Sequence, residues 1–467
     1  MIESQSTILN SQSAIPAPAA PVVAGLSWRQ ILSWTTKGSL AIADQGLFAG
    51  SNFLLNVLLA RWLAPADYGA FALAFSLFLL LAGFHNAALI EPMTVLGPAS
   101  FRDNLRNYIS QLSKLHFGLT LCFASLAGAV AIALLCLVSE GSVGSALAGM
   151  AIALPWILLY WLLRRASYVC SPGLPAVLGA VAYSVCLFAC ILLFRQLGAL
   201  SCFSAFAAQA VASAVAGIVL VVCLRLRFTP WARNRQRAEI LREHWRYGRW
   251  VAATTIFHWL SGGAYYVLVA LFLPMREVAG LRALQNLSAP FSQATVALSM
   301  MLLPWASTTF SKQGTSELRR AISRITLLFG LVALGYVLSL TAFSGWVMQL
   351  VYAGRYNEFS FLLPLALLPV LSSALTQAAA LGVRAMQAPS EEFLAYLLPG
   401  LLTISLGVAL TRAYGLRGVL VGGLCSSLGT MMVLRFRWSA RIRRASCHSR
   451  RKRWRFPFGV GPDRAGP

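Results

Sequence analysis

Arg282, Gln285, Asn286 and Gln293 interrupt a stretch, 279–303, that is otherwise apolar. At 100° per residue the four share one helical stripe about 100° wide. An earlier apolar stretch, 40–60, holds Asp44, Gln45, Asn52 and Asn56, and its three amides fall within about 40° of one another. His85 and Asn86 lie in a third stretch, 69–90, with Glu91 at its end, and His258 lies in a fourth, 250–272. Such groups are costly in hydrocarbon unless they face protein or water. One reading is that they join helices through hydrogen bonds worth about 0.6–2 kcal/mol each. The other is that two polar stripes on corresponding helices line a wet cleft. The full set, with a charge such as Arg282 in it, favours the cleft.

Other chemistries have no residues to carry them. There is no Gly-x-x-x-x-Gly-Lys phosphate loop. The aspartates are Asp44, Asp67, Asp103 and Asp463, with no Asp-x-Asp pair for a metal-bound nucleotide sugar. The histidines lack His-x-x-x-His spacing, and the nine cysteines lack metal spacing. Cys186 and Cys190, one helical turn apart, read as small packing residues. Neither a metal nor a cofactor is expected. Membrane enzymes of the polymerase or ligase type usually need a large outer loop, whereas here the longest outer connection is about 344–358.

The elements that must position the polar residues are membrane spans. A hydrocarbon core about 30 Å thick needs roughly 20 apolar residues per helix. Spans are expected at 40–60, 69–90, 115–138, 145–163, 174–194, 203–224, 250–272, 279–303, 325–343, 359–383, 393–411 and 416–434. With the N-terminus inside, inner segments carry 31 of the 38 Lys and Arg residues. The outer connections carry only Arg61, Arg195, Arg276, Arg355, Arg412 and Arg417. The positive-inside rule therefore puts both termini in the cytoplasm, with 91–114, 164–173, 225–249, 306–324 and 384–392. Hydrophobic residues make up 58% and charged residues 11%, a membrane composition rather than a soluble one. The net charge of +24 sits mostly in loops that end helices. It points to anionic inner-leaflet lipid and not to nucleic acid. The first 37 residues have no basic n-region and no continuous apolar run, so a disordered cytoplasmic tail is expected there rather than a signal peptide.

The halves of the chain echo each other. Span two opens with Gly69-Ala70-Phe71-Ala72-Leu73 and span eight with Gly280-Leu281-Arg282-Ala283-Leu284, both Gly-x-x-Ala-Leu. The expected fold is all-α and membrane-integral, with twelve transmembrane helices in two six-helix lobes around a central cleft. The lobes are 38–224 and 250–434, joined by the basic linker 225–249 and flanked by tails 1–37 and 435–467. Parallel repeats of this kind place substrate between the halves, near the midplane.

The stretch Leu58-Leu59-Ala60-Arg61-Trp62-Leu63-Ala64-Pro65-Ala66-Asp67-Tyr68-Gly69-Ala70-Phe71-Ala72-Leu73 resembles the opening signature of polysaccharide flippases. These belong to the multidrug/oligosaccharidyl-lipid/polysaccharide exporter superfamily. Ala64 stands where the family usually has glycine. The run from Gly280 to Leu287 with Pro290 is similar to the family's start of span eight. Val351-Tyr352-Ala353-Gly354-Arg355-Tyr356 and Tyr414-Gly415-Leu416-Arg417-Gly418 resemble its turns before spans ten and twelve.

The resemblance implies lobes that open alternately to either side of a bacterial inner membrane, moving a polyprenyl-diphosphate-linked oligosaccharide outward. A sugar hydroxyl entering hydrocarbon alone costs about 4–8 kcal/mol, which a polar cleft offsets. Arginine suits a diphosphate because its planar fork is always charged. On this reading Arg282, Gln285, Asn286, Gln293, Asn52, Asn56, Gln45, His85, Asn86 and His258 face the substrate. Asp44 and Glu91 are the candidates for ion coupling. Pathway polymerases and glycosyltransferases are the implied partners. An ion pair of Arg282 with Glu277 or Asp44 is the structural alternative. A drug or small-solute antiporter of the same superfamily is the alternative function, and a membrane enzyme a more distant one.

Overall fold

The computed structural model describes residues 28–137, 141–170, 173–227, 234–386 and 390–453. These are helical almost throughout, and no strand occurs among them. In chain order the elements are α1 (Trp28–Trp62), α2 (Pro65–His85), a π-turn (Asn86–Ile90), α3 (Glu91–Ser100), α4 (Leu105–Leu137), α5 (Ser142–Cys170), α6 (Leu174–Gln196) and α7 (Cys202–Leu224). The second half has α8 (Asn234–Leu260), α9 (Ala264–Phe272), α10 (Met275–Asn286), α11 (Ala289–Ala342), α12 (Ser344–Tyr352), α13 (Leu363–Ala385), α14 (Ser390–Leu402), a π-turn (Thr403–Gly407) and α15 (Val408–Arg453).

Local chemistry sets these boundaries. Pro65, Pro175 and Pro290 each fall in a helix's first turn, where the missing N–H is no loss. Ser201 and Ser204 form a capping box that starts α7. α11 turns sharply at Gly314 (φ 81°, ψ −170°) and α15 at Gly415 (φ 57°, ψ −136°), backbone angles suited to glycine. Those two turns separate expected span eight from nine and eleven from twelve.

Among the described residues, eight helical segments can cross a membrane by length and composition, and the bent pair α8–α9 would make a ninth. One of the eight, Leu394–Arg444, holds two expected spans across Gly415. Expected span one is helical but is not one of these segments, and within expected span eight the helix Ala289–Leu303 is apolar but short; these two spans carry the polar stripes. The chain is a multi-pass membrane protein.

Packing separates core from lipid-facing helices. The most apolar window of α5 is 67% buried, against 17% for α4 and 22% for the second limb of α11. So α5 is central, and Leu121, Leu126 and Ile132 of α4 and Leu327, Leu328 and Leu331 of α11 are left facing outward. Within the first half α5 packs on α2, α4 and α7, and α6 packs on α1 and α7. Within the second, α13 packs on α11 and α15, and α14 on α8 and α15. The halves meet where α2 lies on α10, the first π-turn on α8, and α1 on α11.

Three boundaries differ from the sequence reading. The expected N-terminal tail is helical from Trp28, while 1–27 lie outside the described residues. Most of the expected linker 225–249 belongs to α8, and the C-terminal tail continues α15 to Arg453. Arg, Gln, Glu and Leu are good helix formers, so a basic stretch next to a span extends the helix. Residues 228–233, 387–389 and 454–467 lie outside the description.

Candidate functional site

α10 is short because Pro290 opens the next helix. Its last turn ends at Asn286, with the Ser288 hydroxyl donating to the Gln285 carbonyl at 2.6 Å. This stub carries Arg282 to α1. The Arg282 Nε donates to Asn56 Oδ1 at 2.9 Å, and its guanidinium carbon lies 5.0 Å from the centre of the Phe75 ring. Asn56 donates to the Asn52 carbonyl and Asn52 to the Phe48 carbonyl, each at 2.8 Å. Both amide NH2 groups thus turn back along α1, which leaves the Asn56 oxygen for Arg282. One turn along α10, Gln285 Oε1 accepts from the Tyr266 hydroxyl at 2.8 Å. The buried Asn286 faces the Tyr352 hydroxyl at 3.5 Å, which itself donates to the Ala283 carbonyl at 2.8 Å. Further along, Gln45 Nε2 donates to the exposed Gln293 at 3.1 Å. The two predicted stripes therefore meet at two points, 45 with 293 and 56 with 282.

Asp44 has a partner that the sequence reading missed. Arg164 of α5 grips it with Nε on Oδ1 and Nη2 on Oδ2, both at 2.8 Å, and the Tyr168 hydroxyl donates to Oδ2 at 2.5 Å. The same Nη2 reaches Gln45 Oε1 at 3.1 Å, and the guanidinium lies 4.3 Å from the centre of the Phe48 ring. Asp44 is 1% exposed and Arg164 15%, so the carboxylate is neither hydrated nor a simple helix cap. Arg164 opens the stretch 164–173 that the charge pattern assigns to an inner loop. A lone aspartate inside a span demands a cation, and that was the signal available. Neither Asp44 nor Glu277 pairs with Arg282: among the described residues no ion pair includes Arg282. With Asp44 matched to Arg164, Arg282 leaves the seam a net positive charge.

His85 departs from its expected place. It is fully buried inside the first half, with Nε2 2.8 Å from His116 Nδ1, and His116 Nε2 contacts the Pro155 carbonyl at 3.0 Å. The carbonyl can only accept, so His116 carries its proton on Nε2 and accepts from His85 Nε2–H. This chain ties α2 to α4 and α5 and turns His85 away from the polar stripes. Asn86 opens the π-turn half-buried, its amide 3.3 Å from Glu91 Oε2. His258 has an exposed side chain and meets Tyr396 edge-on, with ring centroids 4.9 Å apart.

The segments that carried the family resemblance hold one another across the halves. Arg61 donates to the carbonyls of Val351, at 2.7 Å, and Leu350; in return Arg355 donates to the carbonyl of Leu63. Tyr68 and Tyr356 pack with ring centroids 6.1 Å apart. A Cβ on Gly69 would lie 2.1 Å from the Met275 carbonyl oxygen, so only glycine admits this approach. At the other end of α2, Gly248 backs onto the Ala87 carbonyl, and His244 bridges the Tyr108 hydroxyl (2.7 Å) and the Ala88 carbonyl (2.8 Å). Near its middle the Trp259 indole donates to the Ser76 carbonyl at 2.9 Å, and the Ser76 hydroxyl to that of Gly263 at 2.8 Å.

Comparison with known proteins agrees with this geometry. A family described as polysaccharide biosynthesis protein matches residues 178–361, which include α10 and its stripe. No curated protein sequence matches the chain significantly. Among solved structures, an inward-facing multidrug-resistance MATE transporter of the MOP superfamily aligns with TM-score 0.71 at 13% identity, covering 87% of this chain and 99% of its own. A eukaryotic MATE transporter aligns at 0.64 with 16% identity, over 89% and 98%. The lipid II flippase MurJ in an inward closed conformation aligns at 0.62 with 13% identity, over 87% and 86%. The chain shares the fold of these transporters, and the family match agrees with the resemblance over residues 178–361, which hold the segments at 280–290 and 351–356.

Proposed function

We propose that this chain is a flippase that moves a polyprenyl-diphosphate-linked oligosaccharide from the inner to the outer leaflet of a bacterial cytoplasmic membrane by alternating access. The observation that carries this reading is Arg282. It is a guanidinium in the seam between the halves, partnered by the Asn56 amide oxygen, the Phe75 face and the Tyr266 hydroxyl, and in no ion pair among the described residues. A diphosphate would replace the neutral Asn56 oxygen with charge-assisted bonds, which are roughly twice as strong as neutral ones. Gln45, Asn52, Gln285 and Gln293 would take sugar hydroxyls along the same seam. An anion leaving a negative interior gains about 2.3 kcal/mol per charge per 100 mV, which favours outward movement.

On this reading 38–224 and 250–434 are the lobes that rock, and both termini are cytoplasmic. Glycosyltransferases would supply the cargo inside and a polymerase would consume it outside. Asp44 anchors Arg164 in this account, which leaves Glu91 as the carboxylate for ion coupling. The alternative, a cation-exporting antiporter, draws on the MATE-like fold. A cationic drug needs a carboxylate in the seam, however, and the one at hand, Asp44, is held by Arg164. Reconstitution into vesicles separates the two. Protection of a labelled lipid-linked oligosaccharide from an external glycosidase should change with time in the presence of the chain; export of a cationic dye without lipid movement would favour the antiporter.

A further inference from the structure

Past the turn at Gly314, α11 carries Ser316, Arg319, Arg320, Ser323 and Arg324. Offsets of three, four, seven and eight residues put them on one helical face. These five side chains are exposed and, together with the buried Ile442 of α15, line an open cavity of about 440 Å3. Arg320 is tied to Glu317 at 2.7 Å, while among the described residues neither Arg319 nor Arg324 is in an ion pair. Arg443 and Arg444, directly after Ile442 on α15, are exposed and add to the positive field. The cavity therefore offers at least two unneutralised guanidinium groups and two hydroxyl donors to an anion.

What kind of anion follows from the helix above it. Three, four and seven residues beyond Arg324 come Leu327, Leu328 and Leu331, which continue the same stripe. They are 64%, 58% and 58% exposed. A basic cavity thus runs directly into a lipid-facing apolar ridge, which suits a molecule with a phosphate at one end and a hydrocarbon tail at the other. We propose that this cavity binds the phosphate headgroup of a membrane lipid, with its tail along Leu327, Leu328 and Leu331. The proposal rests on the membrane orientation given above, which puts 306–324 at the inner leaflet. Two lipids share the required chemistry, an anionic phospholipid and the polyprenyl diphosphate of the cargo.

The test is lipid retention by the intact, monodisperse chain in native mass spectrometry. The protein is delipidated, then offered vesicles of phosphatidylglycerol and phosphatidylcholine, with or without a polyprenyl diphosphate. Wild-type protein should keep a phosphate-bearing anionic lipid in preference to phosphatidylcholine, and R319Q/R320Q/R324Q should lower that retention on the order of 100-fold. R102Q/R227Q/R242Q, which removes the same charge elsewhere, should leave it intact. Whichever lipid is lost in the cavity variant and kept in the control identifies the source. Equal retention by the cavity variant and wild type, equal loss in the control, or competition by inorganic phosphate with no lipid retained would each overturn the proposal. Should the triple variant fail to accumulate, R319Q and R324Q singly carry the same comparison. Retention is read with phosphatidylglycerol alone as well as with the polyprenyl diphosphate, whereas the flippase reading is tested by flipping of a lipid-linked oligosaccharide, so this site and the flippase reading fail separately.

Discussion

Asn56 and Arg282 stand 226 positions apart in sequence, yet the Arg282 Nε donates to Asn56 Oδ1 across 2.9 Å. The contact joins the polar stripe of the first span to that of the eighth. It also presents a strong cation with a weak, neutral acceptor, an arrangement that an anionic ligand can displace.

Asn56→Asp puts a carboxylate where the neutral oxygen stands. It should form a partly buried ion pair with Arg282 and compete with any incoming phosphate. Transport should fall at least about tenfold, the equivalent of about 1.4 kcal/mol, while membrane abundance stays near wild type. Unchanged transport by Asn56→Asp would mean that Arg282 does not meet the cargo from this position.

Asp44→Asn keeps the shape of the side chain but leaves Arg164 without its carboxylate. Breaking a buried pair costs about 3–5 kcal/mol; because Arg164 is partly exposed, about 2–3 kcal/mol of destabilisation is expected here. Thermal unfolding in detergent should register it, and Asp44→Asn combined with Arg164→Gln should recover part of the loss. A single variant that unfolds at the wild-type temperature would remove Asp44 from its anchoring role.

Gly69 sets how closely α2 approaches α10. In Gly69→Val the side chain would overlap the Met275 carbonyl, forcing apart the end of the seam clasped by Arg61 and Arg355. Cysteine labelling near Leu350 should rise in this variant and transport should fall. Labelling at the wild-type level would show that the two helices do not close on this glycine.

Much of this arrangement was legible in the sequence, because polar residues inside apolar spans are conspicuous. Gln45, Asn56, Arg282 and Gln293 were readable as two stripes, and the stripes touch. The partners were harder to find. Arg164 sits beside Arg165 at a span's end, where basic residues are expected for topological reasons alone. Tyr266 and Tyr352 look like ordinary core aromatics until their hydroxyls are traced to Gln285 and Ala283. His85 was misplaced because periodicity gives a residue's face but not its neighbour, and His116 lies on a different helix. Helix lengths beyond the membrane were also missed, since basic residues mark the end of a span without ending the helix.

Topology is open to direct measurement. Reporter fusions after Glu140, Pro274 and Gly354 should read outside, and a fusion within 225–249 should read inside. An inside signal from two of the first three would overturn both the orientation and the span order.

The most direct test is the flipping rate of a labelled polyprenyl-diphosphate oligosaccharide in proteoliposomes holding wild type, Arg282→Ala or Arg282→Lys at matched abundance. The account predicts transport by wild type, none above protein-free vesicles for Arg282→Ala, and partial recovery for Arg282→Lys, which keeps the charge without the planar fork. Arg282→Ala that flips the lipid at the wild-type rate would contradict it.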